Sequence, residues 1–297
     1  NPAGLAFVKN QSAMFGHANW IADIKYSAGA YAYNLGAIGV VGLSVAYLNS
    51  GDIEETTVGM QEGTGSFFNT HNVMLGTSFA RMLTDRFSLG GNLKYVEEKL
   101  ADEKASAWGV DLGILYYTGF KSLRLGMSIR NFGPELQFSG TYKDYDNGNW
   151  VIDASTGLPE EKQYLPYHMP MTFKISLAYD LIEKENQFLT LAADLAHPND
   201  NVEKLNLGAE YKLMNLLALR IGYTGLIGIM KREDYEIDNA DTEKEVKYKV
   251  HNYTQNFAAG LGLMMNVKGI GDFSLDYAYT DFGVLDWVHR MSVTINY

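Results

Sequence analysis

Residues 87–100 read "FSLGGNLKYVEEKL", and the fold turns on their alternation. Phe87, Leu89, Gly91, Leu93 and Tyr95 fall on one face; Ser88, Gly90, Asn92 and Lys94 fall on the other. A period of two belongs to an extended strand, because successive side chains leave opposite sides of the pleat. One face is apolar and ends in an aromatic ring, while the other is small or polar. A soluble sheet buries such a face against a core, whereas a membrane barrel turns it toward lipid.

The dyad recurs along the chain. Val41, Leu43, Val45 and Tyr47 oppose Gly42, Ser44 and Ala46; Trp108, Val110, Leu112, Ile114 and Tyr116 oppose Gly109, Asp111 and Gly113. Residues 123–132, 171–180, 204–213, 217–225, 272–280 and 287–297 repeat it, and 12–20, 24–35, 72–81, 187–196 and 256–265 carry weaker versions. These make about fourteen strands, with no segment of helical period between them. Short turns at 36–39, 83–86, 118–122, 182–186, 214–216 and 266–271 alternate with variable connections at 49–70, 99–106, 133–168, 197–203, 227–254 and 281–286. Tight turns on one rim and elaborated loops on the other predict an up-and-down antiparallel transmembrane β-barrel, with the long loops 133–168 and 227–254 outside the cell.

Composition agrees. The 297 residues are 46% hydrophobic, with 20 Tyr, 14 Phe and 30 Gly. A net charge of −11 lacks the basic stripe that a nucleic-acid partner requires. Without Cys there are no disulfides, thiolate metal sites or cysteine nucleophiles. No apolar run approaches the roughly eighteen residues of a membrane helix. The chain opens at "NPAGLAF", which points to an upstream segment that has been removed. It closes on "WVHRMSVTINY", where Val293, Ile295 and Tyr297 share the apolar face; ending on an aromatic resembles the terminal signal of outer-membrane barrels. The apolar faces are therefore expected to meet outer-membrane lipid, with Tyr47, Tyr95, Tyr116, Tyr179, Tyr279 and Trp287 in interfacial girdles.

Three stretches carry a more specific likeness: "NPAGLA" (1–6), residues 19–57 and "LGTSFARMLTDRFSLGGNLKYVEEKL" (75–100). They resemble the PorV/PorQ family of outer-membrane proteins, which is related to FadL-type long-chain fatty-acid transporters. The match is dense over residues 1–132 and rests beyond that on strand pattern and the ending. NPAG resembles the NPA motif that opens FadL-type chains. The resemblance implies a FadL-like barrel of fourteen strands over 12–297, in the outer membrane of a Gram-negative bacterium. It also implies that residues 1–11 pack into or under that barrel. For PorV it implies type IX secretion, with the barrel beside a large translocon barrel, collecting cargo proteins by their C-terminal domains. The leading expectation is a non-enzymatic docking or shuttle subunit, without cofactor or metal. The alternative is a FadL-like passive transporter of hydrophobic small molecules.

Chemistry-bearing residues are sparse. Six histidines are scattered, with no HExxH and no close pair; only His71, His168 and His251 lie near loop ends where they could converge. "EGTGSF" (62–67) lacks the lysine and helix of a phosphate loop and reads as a loop tip. The segment 232–245 has seven acids without EF-hand spacing and reads as a solvated loop. Asp111, Arg124, Arg130, Lys174, Asp180, Glu210, Lys212, Arg220, Asp276 and Arg290 face inward by the dyad, and their mixed signs predict mutual pairing in the lumen. Loop 133–168 carries Phe138, Trp150, Tyr164 and Tyr167, which either fold over the mouth or anchor a protein partner.

Overall fold

A computed structural model describes the chain apart from residues 58, 144, 147–148, 202, 226–234, 238–245, 249–256 and 270. At 145–146, 149–150, 235–237, 246–248 and 284 it describes the backbone alone. Fourteen strands form the wall: β1 Gln11–Asn19, β2 Lys25–Asn34, β3 Val40–Glu54, β4 Phe67–Met82, β5 Phe87–Leu100, β6 Glu103–Tyr117 and β7 Arg124–Phe132, then β8 Thr172–Lys184, β9 Gln187–Pro198, β10 Lys204–Leu213, β11 Leu217–Tyr223, β12 Phe257–Val267, β13 Gly271–Asp281 and β14 Trp287–Asn296. Each pairs antiparallel with its neighbour in sequence, and β14 returns to β1 with Ser12 opposite Asn296. Closure leaves no unpaired edge, as lipid demands of any backbone that crosses it. Among the described residues no helix is long and apolar enough to cross a membrane.

The pleat follows the sequence dyads. Leu43, Leu75, Leu93, Leu112, Leu177, Ile221 and Met291 are exposed on the outer wall, while Gly42, Ala46, Ser88, Gly90, Lys94 and Asp111 lie inside and are buried. Outer aromatics pair across strands: Tyr95 with Trp108 at 5.3 Å, and Tyr279 stacked on Trp287 at 4.5 Å. His289 stands on the same wall, its Nδ1 2.7 Å from the Tyr277 hydroxyl. Val293 and Ile295 continue this face opposite Phe15 and Ala13; Tyr297 lies just past β14, where its backbone N–H donates to the Gln11 carbonyl at 2.9 Å.

Two connections differ from the sequence reading. Residues 99–106 are not a loop: β5 and β6 continue to a turn at 101–102. The segment 49–70 shrinks to 55–66, because β3 and β4 also run on. Strand ends that extend beyond the apolar band of the outer wall need no apolar face. Their outward side chains, among them Glu97, Lys99 and Lys104, are polar, and the alternation fades although the ladder persists.

Residues Pro2–Phe7 form a 3₁₀ helix against the inner faces of β3–β6. The Asn1 side chain caps it, accepting from the Ala3 N–H at 3.0 Å, and its amide donates to the carbonyls of Ile114 and Met127 at 2.8 and 3.1 Å. Ser88 Oγ donates to the Ala3 carbonyl at 3.2 Å. Glycines make the approach possible: a Cβ on inward-facing Gly90 would lie 2.5 Å from the Pro2 carbonyl and the Ala3 nitrogen.

Candidate functional site: a lumenal cavity beside a filled half-barrel

The lumen is asymmetric. On the β3–β8 side the N-terminal segment fills it from the short-turn rim, and the connection 133–171 turns in from the other rim. Leu136 and Met169 are buried against Ala105 and Ala107 on the inner face of β6. Leu136 and Tyr167 exchange backbone hydrogen bonds of 2.8 Å each. The Tyr167 hydroxyl donates to Glu98 at 2.7 Å, and burial, reinforced by that carboxylate, pushes the phenol above the ordinary tyrosine range. Phe138 stacks on Tyr167 at 5.8 Å and meets Tyr164 edge-on at 6.2 Å, and Tyr142 packs on Tyr164 at 5.5 Å. Three of the four candidate anchors therefore build the inside of the loop. Trp150 pairs with Tyr145 in a short hairpin, but its side chain lies outside the described residues. So does most of loop 227–254, acidic segment included, apart from the backbone hairpin Tyr235–Ile237 with Val246–Tyr248.

Part of the lumenal charge is paired as its mixed signs predict. Lys94 reaches Asp111 at 2.6 Å and also Asn131; Asn92 donates to Asp111 at 2.9 Å. Arg124 holds Asp180 at 2.7 Å. Arg220 bridges Glu210 and Asp276 at 2.6 and 2.5 Å, and Lys212 adds to Glu210 at 3.0 Å. The pairing does not extend to Arg130, Lys174 and Arg290, which make no ion pair among the described residues. The register explains why. Arg290 faces Ala18 and Ala278, Arg130 faces Thr172, and Lys174 faces Ser128 and Ala196, so none of these partners is a carboxylate. Asp276 and Asp111, on strands adjacent to Arg290 and Arg130, already hold Arg220 and Lys94.

The other side holds a cavity of about 970 Å³ between the inner faces of β11–β14, β1 and β2. Small residues create the space: Gly16, Ala18, Ala28, Gly222, Ala258, Gly260 and Ala278 line it, while Met14, Trp20, Tyr26 and Leu48 supply larger apolar surface. Arg130, Arg220, Asp276 and Arg290 place polar groups on its wall. An apolar hollow near the upper end of the usual 300–1,000 Å³ range, with a few convergent polar groups, is what small-molecule sites look like. A shallower hollow of about 360 Å³ lies on the wall at Leu207, Ala209, Tyr223 and Phe257, and it shares Ile221 and Gly222 with the cavity. Gly208 pairs with Gly222 there, so backbone alone separates the two sides at that point.

The histidines among the described residues do not gather. His71 lies on the outer wall, its ring 6.1 Å from Tyr47; His168 lies 3.2 Å from Glu135 in the loop; His251 is outside the described residues. The charged members of the cavity wall, Arg130, Arg220, Asp276 and Arg290, were placed in the lumen by the sequence, but the wall's small and apolar residues escaped that reading. The signal that could have found them is the concentration of Gly and Ala on the inward face of strands at the two ends of the chain.

No family model and no curated protein matches the chain. Solved structures do match over its full length at low identity, as three of them illustrate. A FadL homologue of Pseudomonas aeruginosa aligns with a TM-score of 0.58 at 12% identity, covering 100% of this chain and 92% of that one. A deltaS2S3 mutant of TodX, described as a monoaromatic hydrocarbon channel, aligns at 0.56 and 13%, covering 100% and 93%. The Pseudomonas putida toluene transporter TodX aligns at 0.54 and 13%, covering 99% and 90%. These likenesses concern the fold alone: a closed fourteen-strand antiparallel barrel like those of FadL-type outer-membrane proteins.

Proposed function

We propose that this chain is a passive outer-membrane channel for hydrophobic small molecules. The observation that carries the reading is the apolar cavity of about 970 Å³ beside a half-barrel filled by the chain's own segments. An apolar solute gains about 25 cal/mol per Å² of surface that it removes from water, and it needs no energy source to enter. The lumenal charges are mixed in sign, unlike the single-sign ring of an ion-selective pore. The backbone-thin wall at Gly208 and Gly222 puts the cavity next to the lipid-facing surface. Two of the barrels that share the fold are described as a toluene transporter and a monoaromatic hydrocarbon channel.

The test is uptake of toluene and larger apolar probes into vesicles bearing the full chain. Ala278→Phe fills the cavity without changing charge and should lower uptake about tenfold, the equivalent of losing one well-made contact. Unchanged uptake, in a barrel that remains heat-modifiable, would overturn the reading.

A second reading, docking of secreted surface proteins, is favoured by Ile152, Leu158 and Leu165, which stand exposed on loop 133–171. It also draws on the PorV-like residues 1–132. A native-detergent pulldown that retains a giant barrel or cargo C-terminal domains supports it; co-purified lipid alone supports the channel.

A further inference from the structure

The connection between β1 and β2 carries Trp20, and the alternation that points Ala18 inward points Trp20 inward as well. Trp108 and Trp287 stand exposed on the outer wall, but Trp20 lines the cavity. Its ring is held from two sides. The Arg290 guanidinium lies 5.0 Å from its centroid, and the Phe282 ring meets it edge-on at 5.0 Å. Arg290 is free for this because it has no carboxylate partner among the described residues. Phe282 is itself buried, in the connection between β13 and β14. The backbone beyond Trp20 turns through two consecutive non-glycine residues at positive φ, Ala22 at 53° and Asp23 at 60°. Left-handed conformations are costly for such residues and persist where the surroundings over-determine them. The turn is closed by the Trp20 N–H donating to the Ile24 carbonyl at 2.7 Å.

We propose that Trp20 is the gating residue at the long-loop mouth of the cavity, clamped between Arg290 of the inner wall and Phe282 of the neighbouring connection. A large rigid ring across a passage whose walls are Gly and Ala is the narrowing that a mobile solute must pass. The clamp joins two connections that meet at the barrel seam, so Trp20 leaves the mouth only when both contacts break. The inference rests on the channel reading for its purpose, but not for its test.

That test reads access rather than transport. The native chain has no Cys, so Ser292→Cys places one thiol on the cavity wall. Its modification by a bulky membrane-impermeant thiol reagent is timed on the full chain in lipid nanodiscs, with Glu135→Cys on the rim as the reference. If the clamp keeps the open form to a tenth of molecules or fewer, Trp20→Ala should raise the Ser292→Cys rate about tenfold, with Glu135→Cys unmoved. Trp20→Phe should stay near the parent rate. Phe282→Ala leaves the indole in place but removes one side of the clamp, so it should raise the rate by a smaller factor; it also serves should Trp20→Ala fail to insert. Equal Ser292→Cys rates with Trp and with Ala at position 20, or with Phe and with Ala at position 282 should Trp20→Ala not insert, overturn the gate. If gating holds but no apolar probe enters vesicles, the channel reading falls and the gate stands.

Discussion

At the scale of single residues, two adjacent glycines have opposite duties. Gly90 faces the lumen, where an added Cβ would press on the Pro2 and Ala3 backbone at 2.5 Å; Gly91 faces outward, where the nearest atom is a Leu112 methyl at 3.5 Å. Gly90→Ala must therefore displace the N-terminal segment, at about 1–3 kcal/mol as for other overpacked sites. Gly91→Ala should be neutral, since the contact it makes is ordinary. Denaturant unfolding of the two variants, with protease sensitivity of residues 1–8, checks this; equal effects would mean that the segment does not lie on that wall. The glycines could be seen in the sequence, but not this distinction. A glycine's face follows from the dyad, whereas what comes to rest against that face is decided by a segment nearly ninety residues away. The same limit hid Arg290. Its inward direction was legible, yet its lack of a carboxylate depends on the residues opposite it on β1 and β13.

At the scale of elements, lipid is the reason the strands were legible. A uniform apolar solvent on one side enforces strict alternation, and the dyads locate all fourteen wall strands. Where strands extend beyond the apolar band the enforcement stops, and the sequence reads as loop while the ladder continues, as at 99–106. The pleat yields its own prediction. Leu93→Arg on the outer wall should cost about 2–4 kcal/mol if near the bilayer midplane, while Asn206→Arg, pointing into the lumen, should cost clearly less. Heat-modifiability and unfolding in lipid vesicles read the difference, and equal losses would reverse the assigned faces. Asn92, also inward, is a poorer comparison, since it donates to Asp111 and accepts from Ser78. The loop aromatics show the complementary limit: composition announced a hydrophobic cluster in 133–168, but only the fold shows Phe138, Tyr164 and Tyr167 turned toward one another.

At the scale of the whole molecule, the rims differ enough to set an orientation. If the elaborated rim faces outside, a thiol at Glu135 should react with impermeant reagent in intact cells, and one at Thr84 should react only after the outer membrane is opened; the reverse pattern inverts the barrel. The candidate site belongs to this scale as well. Its lining comes from strands at both ends of the chain, so no local window of sequence contains it. The seam between β1 and β14 has one more consequence. Ser12 meets Asn296, so the contact that completes the ring joins the first strand of the wall to the last. Every other neighbouring pair of wall strands is joined by a single connection, but this one needs the last strand of the wall. Without it the sheet exposes two raw edges, each able to recruit any passing strand. Closure of this seam therefore demands the whole wall at once, and a chain stopped short of β14 keeps two edges open to other strands.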